Sequence, residues 1–315
     1  SYCQRYCRPL EDYLDSRVII NHAHMGTGKT YGIMQVLKER SYPRILILSP
    51  RRVFAKNLTN ELNKNIQGSP IVCYLDLTKQ SAFGKQDRLM NQMESLWKIQ
   101  GCPPFDLVII DEVEAILRQL SSPTMQHLQL CSKTFWAVLQ SAKQLMLSDA
   151  FISMKTVRLV DHLGLLKETT YLRNTYQPVH RQAVRVRNKK QLQQALFIDL
   201  RRGKRCVFFS ASKQLLDDTL ERIKKRDLLS TDQIKLYTGG GIKDNLEDVR
   251  TEWSGKQLVM YNSAITVGVN FDVPDQFDRL YVYGSAYNCC NVEDVFQATL
   301  RVRHLKDNMM TYCLN

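Results

Sequence analysis

Long hydrophobic runs are missing from this chain. No stretch among its 315 residues reaches the roughly 18 to 20 apolar residues that a membrane-spanning helix requires, so no membrane role is expected. No basic-then-apolar leader opens the chain, so nothing marks it for secretion. Its nine cysteines lack the Cys/His rhythm of a metal site: Cys3 and Cys7 have no matching pair downstream, and the adjacent Cys289 and Cys290 suit packing better than redox chemistry. That usage predicts free thiols in a reducing, intracellular compartment. Tandem repeats, low-complexity segments and any helix-turn-helix or zinc-finger reader of base sequence are absent as well. The initiator Met is also missing: the chain starts at Ser1 and stops at Asn315, as expected of a piece taken from something longer.

Acidic residues are scarce beside basic ones, 31 against 44, which leaves a net charge of +13. Between Arg173 and Arg205, ten Lys or Arg residues meet a single acid, Asp199. Within that stretch Val184-Arg185-Val186-Arg187 alternates like a strand with one basic face. One such strand alone reads as a solvated edge. A whole chain with this charge points to a polyanionic partner, with nucleic acid the first candidate.

What is present is a repeated order of strand, then helix. Apolar runs at 18–20, 45–48, 71–75, 107–110 and 145–147 alternate with helix-like segments. Runs this short, apolar throughout, are what a parallel sheet covered by helices requires. A polar, basic junction at 171–182 separates them from a second series at 183–187, 206–210, 233–237, 257–261, 279–283 and 310–314. The expectation is α/β: two lobes, 1–175 and 176–315, each a mainly parallel sheet flanked by helices.

Ala23-His24-Met25-Gly26-Thr27-Gly28-Lys29-Thr30 lies between the first apolar run and the helix-like run 31–40. Gly26, Thr27 and Gly28 let backbone N–H groups turn inward around phosphate oxygens at a helix N-terminus. Lys29 reaches the β- and γ-phosphates, and the Thr30 hydroxyl binds Mg²⁺. Ala23 stands where the general pattern has glycine. A bare Gly-x-Gly-Lys-Thr is often an ordinary turn; between a strand and a helix it predicts ATP binding.

The run 107–110 ends in Asp111-Glu112-Val113-Glu114, which puts carboxylates at the mouth of a buried strand, where open α/β sheets bind ligands. Asp111 would hold Mg²⁺ through water, and Glu112 would orient or deprotonate the attacking water. Leu147-Ser148-Asp149-Ala150 is a strand followed by small polar residues, which alone reads as a turn or helix cap. Ser49-Pro50-Arg51-Arg52 puts donors at an expected helix start, a place suited to a backbone phosphate.

This order of motifs resembles the superfamily 2 helicases. Gln92-Met93-Glu94-Ser95-Leu96-Trp97 and the run 106–125, Asp-Leu-Val-Ile-Ile-Asp-Glu-Val-Glu-Ala-Ile-Leu-Arg-Gln-Leu-Ser-Ser-Pro-Thr-Met, look like the herpesvirus-type replication origin-binding protein helicases of large DNA viruses. The likeness extends to the second lobe. Val207-Phe208-Phe209-Ser210-Ala211-Ser212-Lys213 resembles the backbone-contacting helicase motif, and Tyr237-Thr238-Gly239-Gly240-Gly241 places glycines after a strand as such helicases do. Ser263-Ala264-Ile265-Thr266-Val267-Gly268-Val269-Asn270 resembles the motif that touches both backbone and nucleotide. Gln297-Ala298-Thr299-Leu300-Arg301-Val302-Arg303 looks like the arginine-finger helix, although Leu300 replaces a glycine and His304 takes the place of the usual second arginine.

The resemblance implies two RecA-like lobes with an interlobe ATP cleft. Lys29, Asp111, Glu112, Gln297, Arg301 and Arg303 would be catalytic, with Arg301 the better finger. Gly268 would join the phosphate loop in touching nucleotide, and Ser148 and Asp149 would couple the γ-phosphate to closure. Arg51, Arg52, Ser95, Ser212 and Thr266 would hold nucleic acid. ATP and Mg²⁺ would be the cofactors, and single-stranded or forked DNA the partner. Other replication proteins would bind through segments outside this sequence. The implied activity is 3′-to-5′ DNA unwinding in viral DNA replication, in the nucleus or at a cytoplasmic replication site. An ATP-gated clamp or translocase remains the alternative, a phosphate-loop kinase or signalling NTPase a weaker one. Tyr6 or Arg8 would stack on the adenine or be plain surface.

Overall fold

Four short runs of Val, Ile, Leu and Met, at 18–20, 45–48, 107–110 and 145–147, are apolar on both faces and need helices above and below. In the computed structural model they form the interior of a parallel sheet. The description covers all residues except 51, 67, 123–124, 178, 239–248, 264–270 and 286–291. The chain divides into two compact units, Ser1–Pro178 and Val179–Asn315. This boundary lies three residues beyond 175, because Thr175 N donates to Tyr2 O (2.8 Å) and Tyr176 N to Asn174 Oδ1 (3.1 Å), which ties that stretch to the first unit.

The first unit runs β1 (Val18–Ala23), α1 (Lys29–Glu39), β2 (Ile45–Ser49), α2 (Arg52–Asn65), β3 (Val72–Cys73), β4 (Arg88–Gln92), β5 (Leu107–Asp111), α3 (Val113–Gln119), α4 (Leu128–Ser141), β6 (Gln144–Asp149), α5 (Met154–His162) and β7 (Thr169–Asn174). All seven strands are parallel, in the order β3-β4-β2-β5-β6-β1-β7. Two strands lie outside the runs expected from the sequence. β4 carries Arg88, Asn91 and Gln92, so it lacks an apolar signature. β7 is an edge strand inside the expected junction, and only Leu172 and Asn174 of it are buried. The expected strand at 71–75 shrinks to Val72–Cys73, because Tyr74–Asp76 turns into a 3₁₀ helix.

The second unit runs β8 (Gln182–Arg185), α6 (Lys189–Arg201), β9 (Cys206–Ser210), α7 (Lys213–Lys225), β10 (Ile234–Tyr237), α8 (Val249–Trp253), β11 (Leu258–Tyr261), β12 (Phe277–Gly284), α9 (Val292–Thr299) and β13 (Leu305–Leu314). Its sheet is parallel, in the order β10-β11-β9-β12-β13-β8. The strand expected at 183–187 is the edge strand Gln182–Arg185, whose four residues are all exposed rather than alternating, and Arg187 lies beyond its end. The lone acid of that stretch neutralises none of it. Asp199 is buried and accepts from Arg279 Nη1 (2.9 Å) and Tyr281 OH (2.5 Å).

Helices cover both sheets because their apolar residues recur at helical spacing, as in α7, where Leu215, Leu216, Thr219 and Ile223 turn inward. One core of the second unit centres on Trp253. Its ring is fully buried, stacked at 5.8 Å on Tyr261 and 5.3 Å on Phe271, while its Nε1 donates to Tyr237 OH (3.1 Å). Trp253→Ala should therefore cost about 3–5 kcal/mol of stability. A lower urea midpoint by circular dichroism would report it, and an unchanged midpoint would contradict this packing.

Candidate nucleotide site and the finger turn

Parallel strands put all their C-terminal ends on one edge, and the register brings three of them level. Asp111 at the end of β5 lies opposite Ser148, and His22 on β1 lies opposite Asp149, the last residue of β6. The loop expected to bind phosphate leaves β1 at this edge. Gly26 and Gly28 take φ of 78° and 83°, the left-handed region where a Cβ is unfavourable. Gly28 caps α1 without a side-chain bond, so the first N–H groups of that helix face the loop. Thr27 Oγ1 donates to His24 O (2.6 Å), and Lys29 Nζ donates to Ala23 O (2.7 Å) and His24 O (3.3 Å). The buried ammonium is thus held by loop carbonyls, within the turn that the glycines create.

Asp111 is fully enclosed beside Lys29, and the Thr30 hydroxyl bonds to it. Burial raises its carboxyl to about 6 against the lowering effect of Lys29, with Asp149 adding to the rise. Its Oδ1 is buried without a hydrogen-bond partner among the described residues. A hydroxyl and a bare carboxylate oxygen beside a phosphate loop fit Mg²⁺, which takes one or two protein oxygens and fills the rest of its shell with phosphate and water. No cluster of three or more metal-ligating side chains occurs among the described residues, so a dedicated protein cage is absent there.

Glu112 caps α3 with φ 61° and ψ 52°, a left-handed conformation that non-glycine residues adopt only under constraint. Asp149 supplies the constraint. Its Oδ2 accepts from Glu114 N (2.8 Å) and its Oδ1 from Phe151 N (2.9 Å), pinning the turn that presents Glu112. Burial, then the Glu112 charge, pushes Asp149 up to about 7. Asp149 therefore reaches the Asp-Glu motif from its own backbone-anchored position. Ser148 is buried beside Asp111.

Sequence reasoning gave no role to Glu114, yet its carboxylate gathers three donors: Ser153 N (2.8 Å), Ser153 Oγ (2.8 Å) and Thr156 Oγ1 (2.6 Å). It binds the start of α5 to α3. The Asp-Glu-x-Glu spacing was visible, but its partners lie about forty residues away.

The amino-terminal segment holds Tyr6 and Arg8, the two residues expected either to stack on adenine or to be plain surface. Tyr2 pairs with Asn174 on edge strand β7, and Cys7 N donates to Thr27 O (2.7 Å). This brings the exposed Tyr6 ring beside Gly28, 3.6 Å from where a Cβ would stand. Arg8 instead covers the Tyr2 ring at 4.7 Å.

In the second unit, α9 carries Gln297 but ends at Thr299. Arg301 and Arg303 therefore lie in the turn beyond it, whereas the sequence suggested one helix for all three. Leu300 N reaches back to Phe296 O (3.2 Å) and Arg301 N to Ala298 O (3.2 Å), and the chain then bridges Phe271 through Val302. Gln297 and Arg301 are buried, Arg301 at 8% exposure. Arg303 is half-buried near Asp272.

Of the expected nucleic-acid contacts, Ser212 caps α7, its Oγ accepting from Leu215 N (3.3 Å) with its own proton available to a phosphate. Ser95 is half-buried in the 3₁₀ segment Met93–Ile99. Arg52 opens α2. Arg51, Thr266 and Gly268 lie outside the described residues, as do the glycines at 239–241. Seven described cysteines are free thiols, and Cys289 and Cys290 are not among the described residues. No described helix is long and apolar enough to cross a membrane.

Two parallel sheets flanked by helices, one in each unit, give the RecA-like α/β fold. The chain belongs to the family described as origin of replication binding protein, whose family model matches residues 8–180 and 177–315. An uncharacterized putative helicase of Acanthamoeba polyphaga mimivirus is 26% identical over 317 residues, spanning 95% of this chain and 29% of that protein. The replication origin-binding protein of human herpesvirus 7 (strain JI) is 25% identical over 314 residues, 95% of this chain and 38% of its own length. The chain thus spans less than two-fifths of these relatives. Among solved structures, S. cerevisiae Dbp5 bound to RNA and ADP BeF3 superposes with a TM-score of 0.67 at 12% identity, over 98% of this chain and 83% of that one. The helicase Lhr of Mycobacterium smegmatis, bound to ssDNA and AMP-PNP, superposes with a TM-score of 0.65 at 13% identity, over 97% of this chain and 44% of that one.

Glu114→Ala would leave the buried Thr156 hydroxyl and two half-buried Ser153 donors without this acceptor, and each unmade buried bond costs about 1–3 kcal/mol. The variant should lower the urea midpoint measurably, and more than Glu94→Ala, since Glu94 is exposed. Equal midpoints for the two would contradict the role given to Glu114.

Proposed function

We propose that this chain is the ATP-driven motor core of a DNA helicase that acts in the DNA replication of a large DNA virus. The observation that carries this reading is the level placement of Lys29, Asp111 and Asp149 at the mouth of the first sheet, with Asp149 pinning Glu112. A triphosphate supplies better acceptors for the Lys29 ammonium than the Ala23 and His24 carbonyls, since it adds attraction between full opposite charges to the hydrogen bond. Glu112 orients the attacking water and takes its proton. Asp111 and Thr30 hold Mg²⁺, which when bound neutralises charge on the phosphate oxygens. The Tyr6 ring stacks on the adenine. Arg301 meets the charge that builds on the γ-phosphate, Gln297 and Arg303 assist it, and Gly268 joins in contacting the nucleotide. Ser148 and Asp149 couple that event to movement.

Nucleic acid is held through its phosphates by Arg51, Arg52, Ser95, Ser212 and Thr266, and travel is 3′-to-5′ on single-stranded or forked DNA. The basic surplus of the chain supports a polyanionic substrate. Work takes place inside the host cell, in the nucleus or at a cytoplasmic replication site. Segments of the longer protein outside this sequence provide contacts with other replication proteins.

Steady-state phosphate release with and without single-stranded DNA tests this reading, and an ATPase rate indifferent to DNA would contradict it. Lys29→Ala and Glu112→Gln should abolish turnover. Arg301→Ala should keep nucleotide binding and lose about 10³-fold or more in hydrolysis; normal hydrolysis would remove Arg301 from this role. Strand displacement beside streptavidin displacement separates a helicase from a translocase, which passes only the second assay.

A further inference from the structure

Arg181 stands three residues past the boundary between the units, on the segment that joins them, outside every helicase motif recognised in the sequence. Its guanidinium is largely buried. Nη1 donates to Thr299 O and Nη2 to Val302 O. These two carbonyls bracket Arg301. Burial draws the Arg181 guanidinium down to about 10, so it stays cationic at neutral pH.

The chemistry explains why a planar fork sits there. α9 ends at Thr299, and the last carbonyls of a helix lack intrahelical donors. A cation at this end also opposes the negative pole of the helix dipole. Arg181 does more than cap, because its second nitrogen reaches past the helix to Val302, fixing the spacing of the turn on either side of Arg301. Other bonds hold the same turn: Tyr261 OH donates to Ala298 O (2.8 Å), Phe271 N to Arg301 O (2.7 Å) and Arg303 N to Phe271 O (3.0 Å). The residue before Arg181 is anchored too, since Asn308 Nδ2 donates to His180 O. Of these, the Arg181 fork alone ties the finger turn to the joining segment.

We propose that Arg181 is the positioning residue for Arg301: a side chain on the segment joining the two units sets the backbone course of the finger turn. The inference rests on Arg301 being the cation that senses the triphosphate. Misplacing a reacting group by about an ångström can cost about 100-fold in rate, so a clamp on this turn acts on turnover more than on nucleotide affinity.

The experiment is DNA-stimulated ATPase of the full chain for wild type, Arg181→Met, Arg181→Lys, Arg301→Ala and the double variant Arg181→Met/Arg301→Ala. Each is measured for kcat, for KM for ATP and for its urea midpoint. Arg181→Met should lower kcat by about 10- to 100-fold with KM within about twofold. Arg181→Lys, which lacks the planar fork, should lose less. The double variant should be no slower than Arg301→Ala alone, because a misplaced finger and an absent one remove the same interaction. Wild-type kcat in folded Arg181→Met, or losses that multiply in the double variant, would overturn the inference. If Arg181→Met does not fold, Arg181→Lys decides: wild-type kcat overturns the inference, and a lowered kcat at unchanged KM supports it. An Arg301→Ala variant that hydrolyses ATP normally removes the finger itself, and the inference with it, a result distinct from inactive Arg301→Ala beside fully active Arg181 variants.

Discussion

A carboxylate removed from water is costly unless something answers its charge, and beside Glu112 the first sheet of this protein removes three more at one mouth. Each is answered differently. Glu114 is saturated by three donors from the start of α5. Asp149 has a backbone N–H on each oxygen. Asp111 has the Thr30 hydroxyl and the nearby Lys29 charge but keeps one buried oxygen with no hydrogen-bond partner among the described residues. Two of the three are satisfied by the protein itself and hold α3, β6 and α5 together. The third is satisfied only in part, and it stands beside the left-handed glycines of the loop. The site proposed for a cation and its phosphates lies where satisfaction stops.

The second unit solves a related problem with the opposite charge. Its finger turn offers the bare carbonyls at the end of α9, and a buried guanidinium, a tyrosine hydroxyl and a parallel bridge to Phe271 answer them. Rigid backbone around a cation is what electrostatic stabilisation of a reacting phosphate needs, because donors fixed beforehand need no reorganisation during the reaction. Both units therefore put irregular, charge-bearing turns at the ends of regular elements, and the sheets supply the stiffness.

The parts legible in the sequence were those whose cause is local. β1, β5 and β6 are uninterrupted apolar runs because both faces are covered, and Gly26 and Gly28 stand where only glycine is comfortable. β4 was hidden because Arg88, Asn91 and Gln92 break its pattern, and burial of the last two is made tolerable by partners such as Tyr74 OH on Gln92. β7 was hidden because an edge strand needs no apolar run. Arg301 was legible as a residue but not as part of a turn, since the helix ends when Val302 pairs with Phe271, thirty-one residues earlier. Glu114 and Arg181 depend on partners about 40 and 120 residues distant, and no local pattern announces such contacts.

The most direct test is a crystal structure of the chain with Mg²⁺ and a non-hydrolysable ATP analogue. The account predicts that Lys29 Nζ leaves the carbonyls of Ala23 and His24 for phosphate oxygens, and that a cation sits at Thr30 with Asp111 in its shell. An analogue bound elsewhere, with Lys29 still on Ala23 and the bare Asp111 oxygen still facing no cation, would contradict it.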